Sequence, residues 1–125
     1  MGKDNTASKT RYSDEELREF EVLIDEKLAE ARQQLSYYEQ QQKELADNPD
    51  AKLRGLDDAT GTIEGERIAQ MTARMKKHIQ HLENAKIRIK NKVYGICRET
   101  GKLISRERLR AVPHATLSIE AKKKQ

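Results

Sequence analysis

The chain has 125 residues, of which 35% are hydrophobic and 37% charged, with a net charge of +4, one cysteine, two prolines and no tryptophan. That balance excludes a large spherical core and a disulfide scaffold, and no apolar run approaches the roughly 18 residues of a membrane span. Abundant Glu, Lys, Arg, Gln, Ala and Leu instead favour long helices with a narrow apolar seam, in a cytoplasmic protein with a polar N-terminus.

Residues 1–12 are expected to be a disordered tail. Ser13 followed by Glu16 is a capping-box signature, and Asp14 and Glu15 place negative charge in the first turn, where the helix dipole favours it. Apolar residues then recur in steps of three and four at Leu17, Phe20, Ile24, Leu28, Ala31, Leu35, Tyr38 and, after a break at Gln42, Leu45. The seam ends at Asp47-Asn48-Pro49-Asp50, because proline disfavours helix for its predecessor and Asn and Asp favour turns.

A second seam begins near Ile63 or Ile68 and continues through Met71, Met75, His78, Leu82, Ala85 and Ile89, closing at Val93 to Gly95. Neither seam is buried alone. Two helices of about 30 to 35 residues are therefore expected to pack antiparallel as a hairpin over residues 13–93, with its turn near 48–62. Gly55, Gly61 and the Asp57-Asp58 pair suit that turn by themselves; a functional alternative has Asp57 and Asp58 presented at the end of a narrow rod, ready to probe a deep cleft.

Residues 94–125 carry a different pattern, Tyr94-Gly95, Cys97, Thr100-Gly101, Arg108-Leu109, Pro113 and Ala115-Thr116. Leu103, Ile104, Leu109, Val112, Leu117 and Ile119 are its candidate core. Nine cations between Lys86 and Arg110 face only Glu99 and Glu107, a cluster suited to phosphates or to an acidic protein surface, or simply to solvent. A structural zinc site needs four N, S or O donors, usually from cysteine pairs two residues apart, and this chain has one cysteine. A site from Cys97, His114 and Glu120 matches no standard spacing, so no metal is expected.

That frame resembles the C-terminal module of the DksA/TraR family, RNA polymerase-binding transcription factors with a four-cysteine zinc site. On it the ligand positions fall at Cys97, Thr100, Ser118 and Ala121, so the chain resembles the zinc-independent members. The resemblance implies a mostly α fold: a long antiparallel coiled-coil hairpin, a small zinc-finger-like globule lacking metal and a short C-terminal helix. It implies a monomeric, non-enzymatic regulator that enters the secondary channel of RNA polymerase, with the tip near the active centre altering open-complex stability. The family's tip motif of two acids and an alanine places its second Asp on Asp57 and its Ala on Ala59, with Asp58 adjacent and Arg54 at the first acid's position. Guanosine tetraphosphate is the implied co-regulator, with Lys90, Lys92, Arg98 and Arg108 as candidate phosphate or polymerase contacts. Two alternatives stand beside this: a transcript-cleavage factor using the tip acids, and a basic nucleic-acid-binding helical protein. Direct DNA binding is not expected, since stacking aromatics are nearly absent from the basic stretch.

Overall fold

A computed structural model describes residues 10–47 and 62–124. Within them the chain forms α1 (Asp14–Ala46), α2 (Ile63–Lys90), α3 (Arg106–Ala111) and α4 (Ile119–Lys123). No strand occurs among the described residues beyond one isolated antiparallel bridge, Ile96 to Leu103. The fold class is thus mostly α, a coiled-coil hairpin with a small globule and a short C-terminal helix. The chain divides into two compact units, residues 1–27 with 81–125, and residues 28–80.

In the first unit, α1 opens on the expected capping box. The Ser13 N–H donates to Glu16 Oε1 at 2.9 Å, and the Glu16 N–H donates to Ser13 Oγ at 3.1 Å. Two otherwise unsatisfied helix-end donors are met in one exchange. Leu17, Phe20 and Ile24 from α1 and Leu82, Ala85 and Ile89 from α2 are all buried. Each fully buried Leu or Ile contributes on the order of 1.5–3 kcal/mol. The two segments run antiparallel, since Asp14 pairs with Lys92 at 2.9 Å and Asp25 with Lys86 at 2.7 Å.

α2 ends at Lys90, just before the expected close of the seam at Val93 to Gly95. Lys92 itself takes the left-handed conformation, with φ 65°. The Val93 N–H donates to the Arg88 carbonyl at 2.9 Å and the Lys92 N–H to the Ile89 carbonyl at 3.0 Å, the two bonds of a Schellman cap. A non-glycine residue normally resists this position, and here the Lys92 ammonium is held by Asp14. Gly95 also has a positive φ of 78°, but it answers a steric need described below.

In the second unit, Leu28 and Ala31 of α1 and Ile68, Thr72 and Ile79 of α2 are buried, with Leu35, Tyr38, Met71, Met75 and His78 half-buried around them. Gln41 and Leu45 share a recess with Glu64 and Ile68, so the segments are antiparallel here too. Thr62 caps α2 by accepting the Gly65 N–H on Oγ1 at 2.8 Å. Ile63 is 89% exposed, so the seam starts at Ile68. Thr72 joins it although spacing favoured Met71, because its hydroxyl donates to the Ile68 carbonyl at 2.9 Å and is buried without an unmet polar group.

Tyr12 corrects the expected tail boundary. It is only 4% exposed and belongs to the core of the first unit. Among the described residues, no helix is long and apolar enough to cross a membrane.

Candidate functional site

The knuckle is built from Tyr94 onward. Tyr94 is fully buried and its hydroxyl donates to the Pro113 carbonyl at 2.8 Å, tying the two halves of the module together. Burial pushes its phenol well above the ordinary tyrosine range. The first arm folds back on itself: the Cys97 N–H donates to the Lys102 carbonyl at 2.8 Å, the Gly101 N–H to the Cys97 carbonyl at 2.8 Å, and the Ile104 N–H to the Gly95 carbonyl at 2.7 Å. The second arm joins it where the Arg98 N–H reaches the Thr116 carbonyl at 2.9 Å.

Cys97 lies between the arms, 1% exposed. The Ser118 N–H donates to its Sγ at 3.4 Å. The Thr100 hydroxyl, followed by the N–H groups of Ser118, Thr100 and Glu99, draws the thiol down to about 6 against the opposing effect of burial. Of the other family ligand positions, Ser118 spends its Oγ capping α4, accepting the Ala121 N–H at 3.2 Å. Thr100 Oγ1 accepts the Lys102 N–H at 3.2 Å, and Ala121 is buried with only a methyl group. One thiol, two hydroxyls engaged in turns and a methyl do not fit a structural zinc ion. Among the described residues, no three His, Cys, Asp or Glu side chains converge as a metal set, so Cys97, His114 and Glu120 are not brought together.

The depressed thiol has a measurable consequence. An unfolded cysteine titrates near 8.5, so between about 6 and 8.5 the unfolded chain binds more protons and stability rises with pH. Stability is complete above the unfolded value and is expected to fall as pH drops through about 6. Thiolate absorbance near 240 nm should follow the same midpoint, and a Cys97→Ser variant should lose this part of the pH dependence.

The expected core is largely present: Ile104, Leu109 and Leu117 are buried and Leu103 and Val112 half-buried, whereas Ile119 is 45% exposed at the start of α4. Sequence reasoning passed over Tyr12. Its ring meets Phe20 edge-on at 5.3 Å between centroids, Phe20 lies 5.3 Å from Tyr94, and its hydroxyl donates to the Ile104 carbonyl at 2.5 Å. A bulky apolar residue just before a capping box is a hydrophobic-staple signal, which could have identified it. Ser105 caps α3 by accepting the Arg108 N–H, and the ion pair between Arg106 and Glu16 fastens the module to α1.

The four cationic candidates are dispersed. Lys90 and Lys92 line one groove of about 440 Å³. Arg108 donates from Nε to the Leu117 carbonyl at 2.8 Å and borders a separate recess with His114, Thr116 and Lys122. Arg98 is exposed and lines neither. Arg88, which was not singled out for a site role, donates to the His114 carbonyl at 3.3 Å, and burial lowers its pKa. His114 stacks on His81 at 5.3 Å. Asp57, Asp58 and Ala59, with Arg54, lie outside the described residues.

The model of the prokaryotic dksA/traR C4-type zinc finger matches residues 92–125. Over 100 residues the chain is 32% identical to the RNA polymerase-binding transcription factor DksA of Caulobacter vibrioides, covering 80% of this chain and 66% of that protein. It is 27% identical to general stress protein 16O of Bacillus subtilis, covering 76% and 61%. The chain therefore spans just under two thirds of the length of these curated relatives. Transcription factor DksA2 from Pseudomonas aeruginosa superimposes with a TM-score of 0.78 at 26% identity, covering 95% of this chain and 88% of that one.

Proposed function

We propose that this chain, which is similar to DksA/TraR proteins in its knuckle and in its paired long helices, is a non-enzymatic regulator of transcription that binds RNA polymerase directly. The observation that carries this reading is the knuckle frame around Cys97, matched by the family model, on a chain whose long helices pair antiparallel. In this reading the hairpin enters the secondary channel and its tip, Asp57 with Asp58 and Ala59, lies near the active centre. A carboxylate there changes open-complex stability only through unequal interaction with alternative polymerase states. The module works without zinc, its arms held by hydrogen bonds and by the aromatic contacts of Tyr12, Phe20 and Tyr94. Guanosine tetraphosphate is proposed as co-regulator, with Lys90, Lys92, Arg98 and Arg108 as its candidate contacts or as contacts to polymerase.

Asp57→Asn tests the tip directly. It is expected to leave polymerase affinity within about twofold, because one distal charge is changed, while removing the effect on initiation in vitro. Unaltered initiation by this variant would refute the tip role. Incubation with stalled elongation complexes separates the transcript-cleavage alternative, which requires shortened RNA.

A further inference from the structure

The groove lined by Lys90 and Lys92 belongs wholly to the first unit and runs between the start of α1 and the end of α2. Its apolar lining is Leu17 and Ile89, both buried, and Ile87, which is 56% exposed. Ile87 therefore keeps more than half of its surface in water, and covering it would add apolar burial that the fold itself does not supply. Arg18, Lys86, Lys90 and Lys92 contribute four positive charges to the lining against two carboxylates, Asp14 and Glu21, and Lys86 is itself paired with Asp25 at 2.7 Å. Asp14 is already engaged by Lys92 at 2.9 Å and by Arg11 at 3.1 Å. The groove is therefore apolar inside and net positive at its rim, a combination that selects for an occupant of opposite pattern.

We infer that this groove is a docking surface for an acidic protein segment that seats an apolar side chain on Ile87, over a floor backed by Leu17 and Ile89, and directs flanking carboxylates to Arg18 and Lys90. Resting on the function proposed above, that segment is assigned to RNA polymerase. Nucleic acid is the poorer match, since the lining offers no aromatic face for a base and much of it is apolar. In this reading the groove contributes affinity and orientation, whereas the proposed tip acids contribute the effect on initiation.

The test is titration of the full chain against RNA polymerase holoenzyme at two salt concentrations, comparing the natural chain with Ile87→Glu and with the charge-reversed pair Arg18→Glu and Lys90→Glu. These residues are exposed, so thermal melting should be unchanged. Both variants are expected to bind at least tenfold more weakly, with Ile87→Leu retaining affinity, and the charge-reversed pair should show a flatter salt dependence. Binding within twofold of the natural chain by both variants would overturn the groove while leaving the polymerase reading intact. Failure of the natural chain to bind polymerase would overturn both.

Discussion

Gly95→Ala is expected to destabilise the protein by about 2–5 kcal/mol, the sum of a left-handed backbone penalty and overpacking. At φ 78° an alanine is strained by itself, and its Cβ would lie 2.7 Å from the Tyr12 ring and 3.2 Å from Leu109 Cδ1. Neither neighbour has room to retreat, because Tyr12 is held by Phe20 and the Ile104 carbonyl and Leu109 is fully buried. Gly101→Ala is the internal control. Its φ is 73°, but nothing lies within 4 Å of the added carbon, so only the backbone part, about 1–2 kcal/mol, should appear. Urea denaturation of the two variants measures the difference, and equal losses would refute the steric account.

Tyr12→Ala is expected to cost about 3–5 kcal/mol, the range for deleting a buried aromatic ring. Tyr12→Phe, which keeps the ring and removes the donor to the Ile104 carbonyl, should cost about 1–2 kcal/mol. Removing the ring also removes the obstacle at residue 95. The double variant Tyr12→Ala with Gly95→Ala should therefore lose less than the sum of the singles, by at least about 1 kcal/mol. Strict additivity would show that Tyr12 and Gly95 do not share one packing site. A loss for Tyr12→Phe as large as for Tyr12→Ala would assign the energy to the hydroxyl rather than to the ring.

These two predictions concern residues that periodicity treats poorly. Tyr12 precedes the helix, where no apolar repeat marks it. Gly95 lies past the end of α2, and it is Lys92, whose ammonium meets Asp14 across 78 positions of sequence, that takes the left-handed cap position. Thr72 entered the seam for a local reason, its hydroxyl satisfied one turn back. Ile63 left it because position 63 starts α2 on the outer face.

The candidate site divides in the same way. That Cys97, Thr100, Ser118 and Ala121 occupy one frame was implied by the family resemblance of the motif around them, not by spacing alone. What surrounds the sulfur was not, since the Ser118 N–H reaches it from 21 residues away. Likewise the clustering of cations between Lys86 and Arg110 was plain from the sequence. Their dispersal between a groove, a recess and an exposed turn depends on how the end of α2, the knuckle turns and α3 pack together.

The capping box at Ser13 and Glu16, the two heptad seams, the break after Asp47 and the knuckle frame were determined by the sequence alone, because each rests on spacing or on a recognisable motif within a few turns of chain. The tertiary structure decided the rest: the place of Tyr12 against Gly95 and Ile104, the donors around Cys97, and the pairing of Lys92 with Asp14 and Arg106 with Glu16. Those contacts join residues far apart in the chain, and the free energy that selects them arises only when the helices and the knuckle exclude water from the same core.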